Sequence, residues 1–262
     1  MAVMKSAAVL QFMNDDLPIW ERSHFQPAEG RAFLLYVVYG RFPKEITLSR
    51  SKYRSAGLPP GFELRRLERA KHGPLPFTDA KYGKVVPDAA LFARLGEAPE
   101  CGVLQGEIAN PPDLNYLRDV IGLTTYLLDH GGMAVANPQQ FELYDPGRWH
   151  REVFEPGDAS VSQHVKILYS DDADGRWYHT RGMRKFGRPD LSVCAVPEPY
   201  FDGVVELCNR FVQMQAMGVC IPEGQEVRMK SLPPGLRCHY AGSLDDPEFN
   251  NVHVDIAWPR DN

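Results

Sequence analysis

Positive charge is concentrated in a short polar segment between residues 181 and 188. Its cations are Arg181, Arg184, Lys185 and Arg188, with no Asp or Glu among them, and His179 lies just before the first. Guanidinium and ammonium groups bind phosphates, carboxylates and acidic protein surfaces, and the arginine fork matches those anions in geometry. The segment therefore indicates either a site for an anion or an acidic partner, or a solvated turn whose charges maintain solubility.

A second set of polar residues lies near the carboxyl end of the sequence. His253 and Asp255 alternate with apolar residues, so they share one face of a predicted strand. Such a pair can orient a general base or help to bind a metal ion, but it needs a third group. His239, in another late strand candidate, could approach the pair. The alternative is an exposed polar face of a sheet.

Sequence motifs of the common catalytic and cofactor-binding classes are absent. There is no G-x-S-x-G, no P-loop and no G-x-G-x-x-G. The cysteines, with no C-x-x-C spacing, are Cys101, Cys194, Cys208, Cys220 and Cys238. An odd number without the repeated Cys or Cys/His spacing of a zinc site predicts free thiols in a reducing cytoplasm rather than a disulfide framework or a zinc site. The sequence therefore predicts no metal and no cofactor.

Composition places the chain among soluble globular proteins. It has 262 residues, of which 44% are hydrophobic and 24% charged, and its formal net charge is -5. Nucleic-acid binding is not expected, because such proteins usually carry a basic excess. No apolar run reaches the length of a membrane span. The apolar beginning is interrupted by Gln11, so we interpret Ala7 to Met13 as a first strand rather than a signal peptide. The predicted location is cytoplasmic.

The cationic segment lies within a predicted meander. Three neighbouring runs rich in β-branched and aromatic residues predict strands at 165–169, 177–183 and 191–196. Asp and Gly at 171–175 predict a hairpin with a longer loop between the first two. Met183 and Phe186 are predicted to anchor the next turn to the core, where Gly187 is free to take a positive φ.

The second turn also carries a family resemblance. Its pattern Gly-Met-x-x-Phe-Gly-x-Pro-Asp-Leu, from Gly182 to Leu191, resembles the signature of a bacterial domain family of unknown function. In that family the turn connects two strands of an α+β domain. The resemblance covers roughly residues 110–220. It implies the fold type and no catalytic residues, and it adds the expectation of an immunity-type role, in which the protein protects a bacterium from a toxin.

The rest of the chain predicts an α+β fold, with a mostly antiparallel sheet and two main helices packed on one face. The helices are expected after Asn110, which would cap the first, and from Pro199 to Met217. Ala32 to Tyr39 predicts a buried central strand. Residues 41–100 are difficult to interpret. We expect a single domain over residues 1–262, with a candidate lobe boundary near 155–160.

Taken together, these features favour a non-catalytic cytoplasmic binding protein. The expected contact is between the cationic turn, with His179, and an acidic partner protein. The alternative is a small hydrolase or transferase that uses His179 or the His253/Asp255 pair, with the arginines holding an anionic substrate. A converging pocket would favour the enzyme, and a flat or protruding turn would favour the binding protein.

Overall fold

The computed structural model describes residues 17–246 and 248–258. These residues form two compact units that are each discontinuous in sequence. The first contains residues 17–19, 35–106 and 115–157, and the second contains 20–34, 107–114 and the chain from 158 onward. The predicted strand at 7–13 lies outside the described residues. The last change of unit falls between Gly157 and Asp158.

Helices, most of them short, and runs of consecutive strands make up the described chain. The strands are β1 (Arg31–Gly40), β2 (Phe62–Glu68), β3 (Glu100–Ala109), β4 (Gly132–Asn137), β5 (Glu142–Tyr144), β6 (Lys166–Asp172), β7 (Gly175–Arg181), β8 (Asp190–Val196), β9 (Cys238–Ser243) and β10 (Asn251–Ile256). The α-helices are α1 (Arg50–Tyr53), α2 (Arg69–His72), α3 (Ala80–Gly83), α4 (Ala89–Arg94), α5 (Asn115–Asp129), α6 (Pro146–Trp149) and α7 (Phe201–Ala216). Short 3₁₀ turns lie at Leu95–Glu97, Val161–Gln163, Met183–Phe186 and Glu198–Tyr200, and a π-helical turn at His150–Phe154.

The first sheet has the strand order β2-β3-β1-β4-β5. β1 lies at its centre, as its apolar sequence predicts, and β2 is an edge strand whose exposed residues alternate with partly buried ones. In α5 every residue from Tyr116 to Leu128 is buried. A helix that is apolar on one face and still buried all round must be covered on its polar face as well. Polar contacts serve this purpose, since Trp149 Nε1 donates to Thr125 Oγ1 at 2.9 Å.

The second sheet has the order β6-β7-β8-β10-β9. β6, β7 and β8 form the predicted meander, β10 runs parallel to β8, and β9 is antiparallel to β10. One face of this sheet packs against α7, where Val204, Cys208 and Phe211 contact the buried side chains of Leu191 and Val193. Because side chains alternate along each strand, the residues between these core positions lie on the opposite face.

The prediction of an α+β fold with mostly antiparallel pairing is confirmed. The expectation of one sheet is corrected to two sheets. The two longest helices do not share one sheet face, since α5 belongs to the first unit and α7 to the second. A chain of this length buries enough apolar surface for two cores, and each long helix contributes to the core of its own unit.

Two local predictions are also corrected. Asn110 does not cap α5, which begins at Asn115; instead it takes a φ of 31° and its backbone N–H donates to the Gly30 carbonyl at 3.1 Å. The β6–β7 connection is shorter than expected, because Asp172 pairs directly with Gly175. Residues 41–100, which the sequence left open, lie within the first unit.

Gly182 is expected to be intolerant of any side chain. Its φ is 120°, and a Cβ there would lie 2.3 Å from the His164 carbonyl oxygen. We expect Gly182→Ala to lower the free energy of unfolding by about 2–4 kcal/mol, measured by urea denaturation. Gly96→Ala is the matched control, because nothing lies within 4 Å of the added carbon and its φ is not positive. Equal stability of the two variants would contradict the close approach of Gly182 to the His164 carbonyl.

Candidate functional site

The cationic turn is an interior element of the second unit. It leaves β7 at Gly182, forms the 3₁₀ turn Met183–Phe186, and enters β8 at Asp190. Met183 and Phe186 are fully buried, so the prediction that they anchor the turn to the core is confirmed. Gly187 has a φ of 63°, in the left-handed region that favours glycine.

Lys185 and Arg188 point into the protein. Lys185 is 0% exposed, and its Nζ donates to the His164 carbonyl at 3.0 Å. Arg188 is 3% exposed. Its Nη2 donates to the carbonyls of Gln26 and Gly218, each at 2.8 Å. Its Nε donates to a further carbonyl, that of Val219, at 3.2 Å. These two cations thus bind backbone dipoles of their own chain.

Asn110 completes the shell around the Arg188 guanidinium. Its side-chain oxygen accepts a hydrogen bond from Arg188 Nη1 at 3.0 Å. The left-handed backbone of Asn110 places the amide there, a conformation that Asn adopts more readily than most residues. The residue that the sequence suggested as a helix cap therefore serves the cationic turn instead.

The remaining two cations differ in accessibility. Arg181 is 4% exposed, donates to the Glu248 carbonyl, and has a pKa lowered by burial. Arg184 is partly exposed; it lies over the Phe33 ring at 4.5 Å and 3.5 Å from a carboxylate oxygen of Glu107. The interpretation of the segment as a solvated turn is therefore wrong. Of its cations, Arg184 alone has more than a few per cent of its surface exposed.

Asp190 holds the beginning of β8 to the turn. Its Oδ1 accepts from Thr180 Oγ1 at 2.9 Å and from the Met183 backbone N–H at 3.2 Å. Its Oδ2 accepts from Asn251 Nδ2 at 2.8 Å. Burial raises the pKa of Asp190 to about 6, although these donors act in the opposite direction. These hydrogen bonds give Asp190, in the Pro-Asp-Leu part of the sequence signature, a structural role.

Beside the turn, the second sheet carries a polar and aromatic surface on the side opposite α7. We call it the histidine face; it comprises Trp177, His179, Ser192, Cys194, His239, His253 and Asp255. The strand register brings these residues together, because His179 pairs with Ser192, Ser192 with Asp255, and Asp255 with His239. The sequence-predicted residues His179, His253 and Asp255 therefore lie on one surface, joined by His239.

Two stacked ring pairs organise this face. Trp177 lies parallel to His179 with centroids 4.2 Å apart, and Phe249 lies parallel to His253 at 4.1 Å. The two pairs meet where His179 and Phe249 make an edge contact at 5.7 Å. Phe249 is 6% exposed and belongs to the loop between β9 and β10. That loop therefore covers part of the histidine face.

Burial keeps two of the imidazoles uncharged at neutral pH. It lowers the pKa of His179 to about 4, with Arg181 acting in the same direction. Burial also lowers the pKa of His253, opposed by Asp246 and Asp255. The Nδ1 atoms of both rings are buried and have no hydrogen-bond partner among the described residues. Each ring therefore contributes stacking surface rather than charge.

The serine and the thiol on this face were not singled out from the sequence. Trp177 Nε1 donates to Ser192 Oγ at 3.1 Å, and Cys194 Sγ lies 3.7 Å from the same oxygen. Burial raises the pKa of the exposed Cys194 thiol, and the nearby carboxylates of Asp255 and Asp172 raise it further. The thiol is therefore protonated at neutral pH, when a nucleophilic cysteine needs the thiolate.

His239 lies at the exposed end of the face. Its Nδ1 lies 2.7 Å from Glu223 Oε1, and the second Glu223 oxygen accepts from the Tyr240 backbone N–H at 2.7 Å.

Alternation in β8 would have indicated that Ser192 and Cys194 share one face. Only the register of β8 with β10 and of β10 with β9 shows which histidines they meet.

The described residues contain no cluster of three His, Cys, Asp or Glu side chains that could hold a metal ion. Within the same ranges, no helix is both long and apolar enough to cross a membrane. Comparison of the chain with family models, with curated proteins and with solved structures finds no match.

Removal of Arg188 should reveal its structural role. We expect Arg188→Met to lower the free energy of unfolding by about 3 kcal/mol or more, because several buried oxygens lose their donor at once. Arg184→Met should cost less than about 1 kcal/mol, since its partners are partly exposed. Chemical denaturation of both variants measures the difference. Similar losses for the two would contradict the burial described for Arg188.

Acid should destabilise the second unit through His164. Burial lowers the pKa of His164 to about 3, with Lys185 acting in the same direction. The unfolded chain takes up a proton near the ordinary histidine pKa, so stability falls as the pH drops below about 6.5. The loss at pH 5 is about 2 kcal/mol for one such residue.

We expect His164→Phe to reduce this pH dependence by that amount. The measurement is the free energy of unfolding at pH 7 and pH 5 for the variant and the wild type. His179 and Asp190 titrate in both proteins, so their contributions cancel in the comparison. An unchanged pH slope in the variant would show that His164 is not the titrating group.

Proposed function

We propose that the protein is a non-catalytic binding module whose contact surface is the histidine face, and that it binds a basic segment of a partner protein. The observation that carries the proposal is the combination of Trp177, which is partly exposed, with the carboxylates of Asp172 and Asp255 near Cys194. An aromatic ring and carboxylates on the same surface suit a lysine or arginine side chain, by cation–π contact and ion pairing.

The charges around the face support this choice of partner. Asp255 lies on the face, Asp246 and Glu248 lie near its edge, and Glu248 is exposed. His179 and His253 are uncharged at neutral pH, because burial lowers the pKa of each. The cationic Arg181 beneath the face is 4% exposed. The accessible charge is therefore mostly negative.

The sequence-based expectation of an acidic partner required the cations of the turn to be accessible. Lys185 and Arg188 bind carbonyl oxygens of their own chain and are almost fully buried. Arg184 is the exception, and it is accompanied by Glu107, which also binds Arg31 at 2.9 Å. A contact limited to Arg184 would offer an acidic surface little net charge, so we place the contact on the histidine face.

The hydrolase or transferase alternative requires an activated nucleophile and an anion site. Cys194 has a raised thiol pKa, and Ser192 Oγ accepts a hydrogen bond from Trp177. The arginines that would hold the anion bind the protein's own carbonyls. These contacts favour binding over catalysis. A cytoplasmic bacterial location and an immunity-type role remain part of the proposal, with the partner being a basic toxin surface.

The proposal can be tested with a displayed library of peptides of varied charge. We expect the wild type to enrich peptides that contain lysine or arginine, with affinity that falls as salt increases. Asp255→Lys should weaken binding of an enriched peptide at least tenfold, since an attractive charge becomes repulsive. Asp202→Lys on the exposed side of α7 is the matched control and should bind like the wild type.

Two results would contradict the proposal. One is enrichment of acidic peptides whose binding is lost in Arg184→Glu, which would return the contact to the cationic turn. The other is equal binding by Asp255→Lys and Asp202→Lys, which would remove the histidine face from the contact.

A further inference from the structure

β6 is an edge strand of the second sheet and is exposed over most of its length. It pairs with β7 on one side, and it stands at the end of the strand order. Ser170, Asp171 and Asp172 are exposed, and Tyr169 is 61% exposed, among the most exposed large apolar side chains of the described residues. A strand at the end of a sheet presents a row of backbone N–H and C=O groups to which another strand can bind.

The hairpin geometry fixes which backbone groups of β6 face outward. Two residues connect Asp172 to Gly175. Asp172 and Gly175 therefore form the closing hydrogen-bonded pair of the hairpin. Hydrogen-bonded and non-hydrogen-bonded pairs alternate from there along an antiparallel ladder. The backbone N–H and C=O groups of Ile167, Tyr169 and Asp171 therefore point away from β7.

We propose that this edge binds a second copy of the same chain, by antiparallel pairing of β6 with β6 about a two-fold axis at Tyr169. In this register Tyr169 pairs with its own copy, and Ile167 pairs with Asp171. Both are pairs of residues whose backbone groups point outward, so each forms a hydrogen-bonded pair. The two five-stranded sheets would then become one continuous sheet.

The end pairs and the central pair of side chains in this register are complementary. Lys166 lies opposite Asp172 of the other copy, and the symmetry makes this pair twice. The exposed Tyr169 rings meet at the axis, and each is backed by the guanidinium of Arg176, whose Cζ lies 4.3 Å from the ring centroid. Opposite charges and paired aromatic rings are the favourable cross-strand combinations of an antiparallel sheet.

Charge also favours antiparallel over parallel pairing of the two copies. Asp171 and Asp172 lie at one end of β6 and Lys166 at the other. A parallel arrangement would place the carboxylates of the two copies side by side. Asp172 also contributes to the argument for the histidine face, but the pairing needs only the backbone groups and side chains of β6 and does not require the proposed function to be correct.

The test is a charge exchange between two variants of the full chain. K166E alone places two carboxylates opposite each other at each end, and D172K alone places two ammonium groups there. Each variant should dimerise about tenfold more weakly than the wild type, or worse. An equimolar mixture should recover wild-type association, because one chain then supplies only carboxylates and the other only ammonium groups. Sedimentation equilibrium measures the wild type and each variant, and energy transfer between labelled variants measures the mixture.

Recovery in the mixture also shows that neither variant has lost its fold. A wild type that remains monomeric at millimolar concentration would overturn the proposal. So would single variants that associate as tightly as the wild type, or a mixture that associates no better than its components. Peptide binding by Asp255→Lys is measured separately, so failure of the dimer and failure of the proposed function are distinguishable.

Discussion

The second unit depends on a cation that is neutralised by dipoles instead of by a carboxylate. Arg188 is surrounded by carbonyl oxygens of Gln26, Gly218 and Val219 and by the Asn110 amide. A buried charge is costly unless all of its donors are bound, so these chain segments must be in place together. The position of the β7–β8 turn follows from this, and with it the register that puts His179 next to Ser192.

In this unit the positive charge of a turn is not accompanied by exposure to solvent, although the sequence suggests both. Positive charge in a turn ordinarily indicates a surface that meets anions, and here Lys185 and Arg188 are as deeply buried as the apolar residues of the core. Trp177 and the carboxylates of Asp172 and Asp255 take the more accessible positions instead. Fixed cations thus stabilise the interior of the unit, and aromatic rings and carboxylates lie at its surface.

Local patterns predicted much of the fold. The apolar run of β1, the β6–β8 meander and the amphipathic helix α7 could be recognised because each depends on periodicity within a few residues. The division into two sheets could not, since it depends on which distant strands pair. The same limit applies to the site: His253 and Asp255 could be assigned to one face from alternation, but their approach to Ser192 and His239 required the pairing of β10 with β8 and β9.

The interleaved sequence of the two units has a consequence for synthesis on the ribosome. Gln26 and Asn110 emerge long before Arg188, and Gly218 emerges after it. The carbonyl shell of Arg188 can therefore close only when the chain has passed Val219, so the Gln26 carbonyl and the Asn110 amide wait for their final donor through most of translation. A premature stop between residues 188 and 218 would leave the cation without the carbonyl acceptors of Gly218 and Val219.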